Sequence, residues 1–229
     1  MGPPKPGKER VPRDGQDGPT CYIGGAGAFF GAHFSPRPGD LVIPPDGGFT
    51  TLSRLGARMD LVVGDFDSMG FRPDHPNVVD LPVEKNDTDT LAALRLGRER
   101  GFRLFRIYGG TGGREDHTLA NLQSLVWLSR RGCQGWLIGD GWTATAITDG
   151  SYALPAGYTG TVSVFCQGDR AEGVSLKGLH YELEDHVLTC DFPLGVSNSF
   201  TGQESLFSVR KGTLLILYED HPENMDTNG

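Results

Sequence analysis

Apolar and polar positions follow two different rhythms along this chain. In the first part, short apolar runs at 41–43, 61–63, 103–108 and 136–138 predict strands, and the stretches 88–100 and 119–130 have helical composition. Gly101 and Gly132 each follow an Arg-rich last turn, the combination that a C-terminal glycine cap and the helix macrodipole favour. Strands alternating with helices predict βαβ units and a mainly parallel sheet, with ligands at the carboxyl ends of its strands. From Trp142 onward the helical signal disappears. Short strand candidates at 144–148, 152–154, 161–165, 181–183, 206–209 and 214–218 are separated by turn pairs such as Asp149-Gly150 and Lys211-Gly212. The expected fold class is therefore α/β: an N-terminal, mostly parallel-sheet (Rossmann-like) domain over 20–140, then a smaller all-β sandwich domain over 141–220. The segments 1–19 and 221–229 hold Pro, Gly and charge with few apolar residues. Such composition cannot offset the entropy of ordering, so a disordered leader and tail are expected.

Charge narrows the function. Lys and Arg total 21 against 29 Asp and Glu, a net charge of -8 in 229 residues. That balance argues against a nucleic-acid binder that neutralises phosphates over a broad surface. Any phosphate must be handled locally, with a cation. No apolar run is long enough to span a bilayer and no apolar secretion signal opens the chain, so a cytoplasmic protein without a membrane partner is expected. Cys21, Cys133, Cys166 and Cys190 are widely spaced and read as free thiols rather than a zinc site or a disulfide framework.

Three segments carry candidate chemistry. After the run Leu61-Val62-Val63 comes Gly64-Asp65-Phe66-Asp67-Ser68. In an extended segment Asp65 and Asp67 point to one side and Phe66 to the core, giving an oxygen-rich strand end suited to Mg²⁺. An Asp-rich capping turn explains the same residues. Next, Glu84-Lys85-Asn86-Asp87-Thr88-Asp89 precedes a helix, where an Asp or Thr can cap the first backbone N–H groups. Beyond capping, Asp89 could complete a metal site or accept a hydroxyl proton, and Lys85 could meet a phosphate oxygen. The third is the glycine-rich stretch from Tyr108 to His117, in which Gly112, Gly113 and Arg114 could hold phosphate oxygens next to a helix N-terminus. It lacks the Gly-Lys-Ser/Thr ending of a Walker loop. Asp116 and His117 read equally as helix-start residues or nucleotide contacts. Gly24-Gly25-Ala26-Gly27 is a weaker nucleotide signal, read equally as an ordinary strand-end turn.

Taken in order, Gly64-Asp65-Phe66-Asp67-Ser68, Glu84-Lys85-x-x-Thr88-Asp89, Gly112-Gly113-Arg114-x-Asp116-His117-Thr118-Leu119-Ala120-Asn121 and Gly195-Val196-Ser197-Asn198 resemble the signature series of the thiamine pyrophosphokinases, over about 21–218. The resemblance implies a nucleotide-binding catalytic domain over 20–140, a thiamine-binding β-sandwich over 141–220, and a homodimer with thiamine near the subunit interface. It implies Mg²⁺-dependent transfer of pyrophosphate from ATP to the thiamine hydroxyl, giving thiamine diphosphate and AMP. By position, Asp65, Asp67 and Asp89 would hold the metal and phosphates. Asp46, Gly47, Lys85, Thr88, Gly112, Gly113, Arg114, Asp116 and His117 would lie at the nucleotide, and Asn121, Ser197 and Asn198 at the substrate. Asn86 departs from the acidic residue usual after Glu-Lys, with Asp87 one place later, and Pro44-Pro45 replaces small residues before Asp46. Two alternatives stay open: a pyrophosphokinase for another hydroxymethyl heterocycle such as a pterin, and a non-catalytic nucleotide or thiamine sensor.

Overall fold

Strands from both halves hydrogen-bond into one sheet in the computed structural model, which describes residues 18–31, 34–67, 69–81 and 88–220. The strands are β1 (Thr20–Gly24), β2 (Leu41–Ile43), β3 (Val62–Gly64), β4 (Val78–Asp80), β5 (Leu104–Tyr108), β6 (Gln134–Ile138), β7 (Trp142–Thr148), β8 (Ser151–Leu154), β9 (Thr161–Cys166), β10 (Arg170–Lys177), β11 (Leu183–Thr189), β12 (Asn198–Ser199), β13 (Ser205–Ser208) and β14 (Thr213–Glu219). The helices are α1 (Gly48–Arg54), α2 (Asp89–Glu99) and α3 (Glu115–Ser129). An eight-stranded sheet runs β12-β9-β14-β7-β6-β5-β1-β2; a four-stranded sheet runs β11-β10-β13-β8, and β3 and β4 pair separately.

This corrects the expected fold class. The described residues are mostly sheet with three helices, and the large sheet is mixed. Its β2-β1-β5-β6 part is parallel, while β6-β7, β7-β14, β14-β9 and β9-β12 pair antiparallel. The cause is the turn Gly139-Asp140-Gly141. A parallel return needs a crossover of a dozen residues or more. This turn instead sends β7 back along β6, with Ile138 opposite Thr143 and the Gly139 N–H donating to the Trp142 carbonyl at 2.8 Å. The sheet therefore continues where the helices stop, rather than ending as the edge of a helix-rich Rossmann-like layer.

The two faces of this sheet are buried against different layers, as the period of two along a strand requires. Cys21, Ile23, Phe105, Ile107 and Leu137 share a core with Leu94 of α2 and Leu125 and Leu128 of α3. Their neighbours Tyr22, Leu104, Tyr108, Trp136 and Ile138 belong to the other core, with Val174, Leu176 and Phe207 of the four-stranded sheet. Both sides of each central strand are therefore apolar, as in strands covered on two faces. Burial pushes the Cys21 thiol well above its ordinary range; Cys133 and Cys166 are also buried, and Cys190 is exposed.

Three departures from the expected elements have local causes. The alternation of β10 is interrupted by a register shift between Glu172 and Val174, where Gly173 has φ 67°, so its period of two is broken in the sequence. Helix α3 begins at Glu115 rather than 119, because its first turn is polar and takes acids favoured by the macrodipole. Strand β11 spans Leu183–Thr189 where 181–183 was expected, and it carries mostly exposed residues. Residues 1–17 and 221–229, the bulk of the expected leader and tail, lie outside the described residues, as do Ser68 and the segment 82–87 with Lys85, Asn86 and Asp87. Among the described residues no helix is long and apolar enough to cross a membrane.

Candidate active site

A cleft of about 590 Å³ opens at the carboxyl ends of the parallel strands. Its acidic wall begins where β3 ends. Phe66 takes φ 59°, a left-handed conformation that an aromatic residue adopts only when the surroundings hold it there, and its side chain is 7% exposed. The chain thus turns at Phe66, and the Asp67 N–H donates to Asp65 Oδ1 at 3.3 Å. Both carboxylates line the cleft and Phe66 packs inward. A turn produces the arrangement that an extended strand end was expected to produce.

Asp46 and Gly47 join this wall from the β2–α1 connection. The Asp46 N–H donates to the Val63 carbonyl at 2.7 Å and its carbonyl accepts from Phe49 at 3.0 Å, so the connection is tied to β3 and to α1 together. Helix α1 can abut β1 because Gly48 carries no side chain: a Cβ there would lie 1.6 Å from the Gly24 carbonyl oxygen. Asp89 comes from another element, the start of α2. Thr88 is the cap of that helix, its Oγ1 accepting from the Leu91 N–H at 3.2 Å. Capping is therefore accounted for by Thr88, and Asp89 in the first turn lines the cleft together with Thr88 and Thr90. Lys85 lies outside the described residues.

Two glycine-rich loops make the floor. The N–H groups of Gly25, Gly27 and Ala28 donate to the carbonyls of Tyr108, Gly109 and Thr111 at 2.7, 2.8 and 2.9 Å. This contact needs glycine on both sides: a Cβ on Gly25 would sit 2.6 Å from the Gly109 oxygen, and one on Gly109 2.3 Å from the Gly25 oxygen. Most of these glycines serve loop-to-loop packing, which reading them only as phosphate donors had missed. Gly113 is different, with open space around its Cβ position, and it lines the cleft next to Arg114. From behind, Asn121 Nδ2 donates to the Gly110 carbonyl at 2.8 Å; Asn121 is 5% exposed and lies on α3. Thr111 and Ala120, not singled out from the sequence, also line the cleft, and only their positions inside the glycine and helix motifs signalled them.

Arg114 is the N-cap residue of α3, and its guanidinium grips Asp116 with two bonds, Nε to Oδ1 at 3.1 Å and an Nη to Oδ2 at 2.6 Å. Asp116 Oδ1 also accepts from the His117 N–H at 3.0 Å. The hydrogen bond from Arg114 holds the Asp116 carboxyl below its usual range, and the same bond raises the Arg114 guanidinium. Arg114, His117 and Asn121 line the cleft; Gly112 and Asp116 stand beside it, outside its lining.

Ser197 and Asn198 are not brought to this cleft. Asn198 is on β12, at the far edge of the sheet from β2, with its amide bonded to both backbone groups of Tyr181 at 2.9 and 2.6 Å. Ser197, at φ 59°, donates its N–H to Ser163 Oγ at 3.1 Å. Strand spacing puts β12 about 24 Å from β5, across the intervening strands.

Asp46, Asp65, Asp67 and Asp89 thus face one cleft in which Arg114 is the permanent cation among the described lining residues. Among the described residues no three His, Cys, Asp or Glu side chains are grouped closely enough to hold a metal ion alone. Such an all-oxygen set fits Mg²⁺, which is usually held by one or two carboxylates plus water and substrate phosphates rather than by a protein cage.

Two family models match the chain, thiamin pyrophosphokinase, catalytic domain, over residues 38–137 and thiamin pyrophosphokinase, vitamin B1 binding domain, over 151–214, together well over half its length. The chain belongs to the thiamin pyrophosphokinase family. A relative in this family, the thiamine pyrophosphokinase of Bacillus subtilis (strain 168), is 27% identical over 184 residues, covering 77% of this chain and 86% of its own. The crystal structure of thiamine pyrophosphokinase from Bacillus subtilis aligns with a TM-score of 0.77 at 24% identity, covering 88% of this chain and 99% of that one. The thiamin pyrophosphokinase from Geobacillus thermodenitrificans aligns with a TM-score of 0.75 at 25% identity, covering 89% and 98%.

Proposed function

We propose that this thiamin pyrophosphokinase family member transfers pyrophosphate from ATP to the hydroxyl of thiamine, with Mg²⁺ as the metal. The carrying observation is the charge of the cleft: four carboxylates from three segments face Arg114, the one permanent cation among the described lining residues, a surface that repels a polyphosphate unless a divalent cation comes with it. Asp65, Asp67 and Asp89 would hold that cation with the phosphates of ATP. Bound there, Mg²⁺ neutralises charge on the phosphates. The protein's own work is positioning: Gly113 and Arg114 at the α3 N-terminus receive phosphate oxygens, and Asp46, Gly47, Lys85, Thr88, Gly112, Asp116 and His117 complete the nucleotide side. Asn121 acts from behind the glycine loop through Gly110. The thiamine oxygen attacks the β-phosphorus, the bond to the α-phosphate bridging oxygen breaks, AMP leaves, and Asp89 accepts the hydroxyl proton.

Residues 20–140 are assigned to the nucleotide and 141–220 to thiamine. Ser197 and Asn198 at the remote sheet edge can meet an acceptor in the cleft only if a second copy supplies them, which supports the homodimer. Light scattering at assay concentration is expected to give a dimer; a fully active monomer would remove this argument. The reaction itself is tested by incubating the chain with MgATP and a panel of alcohols including thiamine and hydroxymethylpterin. Thiamine diphosphate and AMP are expected in equal amounts, with turnover lost in excess EDTA and restored by Mg²⁺. Release of ADP, or preference for the pterin, would overturn the proposal, and binding of both substrates without AMP would indicate a sensor.

A further inference from the structure

Thr111 holds a polar atom for which the described residues supply no partner. The residue lines the cleft and is 5% exposed, and its Oγ1 is buried without a hydrogen bond among the described residues. A hydroxyl buried in this way loses its water and gains nothing in return, whereas a valine of the same shape would carry no such cost. The backbone around it is fully committed: the Thr111 carbonyl accepts from the Ala28 N–H at 2.9 Å, and the preceding Gly110 carbonyl is held by Asn121 at 2.8 Å. The side chain therefore cannot leave the cleft wall. One χ1 rotation exchanges its methyl and hydroxyl positions, so an acceptor in the cleft can draw the hydroxyl toward it. The chemistry of that acceptor follows from the neighbours on the same wall. Gly113 is open, Arg114 is cationic, and the fifteen-residue helix α3 begins immediately after with its N-terminus toward the cleft.

We propose that Thr111 is a nucleotide-binding residue whose hydroxyl donates to a phosphate oxygen of the polyphosphate. This rests on the reading of the cleft as an ATP site and adds to it a residue kept for binding at the expense of stability.

The test compares wild type, Thr111→Val and Thr111→Ser in two measurements. One is thermal unfolding without ligand; the other is titration with Mg²⁺ and α,β-methylene-ATP, in which the scissile linkage is inert, with adenosine as the control. Thr111→Val is expected to unfold about 2–4 °C higher than wild type. It should bind the analogue about tenfold more weakly and adenosine unchanged. Thr111→Ser should bind the analogue within about twofold of wild type, because it keeps the donor. Equal binding of the analogue by wild type and Thr111→Val would overturn the assignment. So would an equal loss for adenosine, a wild-type chain that does not bind the analogue, or a Thr111→Val chain that unfolds earlier or fails to fold, since the hydroxyl would then have a partner inside the protein. A wild-type chain that binds the analogue but forms no thiamine diphosphate sinks the enzymatic reading alone, and the Thr111 comparison is still decided by binding.

Discussion

Asp67→Asn is expected to lower the rate of thiamine diphosphate formation by about 10²–10³-fold, the scale on which removal of one preorganised electrostatic group acts. The substitution is a clean probe. Asp67 is exposed at the cleft, and the hydrogen bond recorded across its turn uses its backbone N–H and the side chain of Asp65. Asparagine keeps the shape and the backbone donor and removes only the negative charge. Thermal unfolding should therefore stay close to wild type, while the Mg²⁺ concentration needed for half-maximal rate rises. Asp65→Asn gives a less decisive result, because Asp65 also closes the turn. Steady-state kinetics across a Mg²⁺ series distinguish the outcomes: unchanged turnover at low Mg²⁺ would end the assignment of Asp67 to the metal.

Gly109→Ala should lower stability strongly, because two separate effects act at the same atom. Gly109 has φ 62°, where a side chain costs about 1–2 kcal/mol, and its Cβ would press on the Gly25 carbonyl oxygen, an overpacking contact of about 1–3 kcal/mol. Backbone meets backbone here, so no side chain can move aside. The combined loss, about 2–5 kcal/mol, corresponds to a midpoint lower by on the order of 10 °C. Gly113→Ala is the internal control. It belongs to the same loop, but its Cβ would enter open space and its φ is not in the left-handed region. Its midpoint should move by about 1 °C or less. If the two variants unfold alike, the loop-to-loop account of these glycines fails.

Particular residues show why some of this was legible beforehand. Asp65, Asp67 and Asp89 stand out because carboxylates next to glycine or a helix start are chemically conspicuous in any fold. Arg114 and Gly113 stand out for the same reason. The pairing of Gly25 with Gly109 was not legible, since the loops lie more than eighty positions apart and nothing in either run says that it faces the other. Thr111 was hidden inside a motif whose glycines drew the attention. The sheet was misjudged at Gly139-Asp140-Gly141, where a change of rhythm was read as the passage from an α/β sheet to a separate all-β sandwich although a three-residue turn leaves β7 no position except beside β6, in the same sheet.

The sequence by itself determined which groups are available and how each segment is built: the helix cap at Thr88, the strands with both faces apolar, and an acidic turn before a glycine and arginine loop. Local propensity and side-chain chemistry act over a few residues and can be read there. Tertiary structure decided the rest. It joined β6 to β7 in one mixed sheet, set Asp46 beside Asp65, pressed two glycine loops together, and left Asn198 at the opposite edge. These depend on which distant surfaces exclude water against each other and which backbone groups must find partners once buried, and neither is written in any short stretch of the chain.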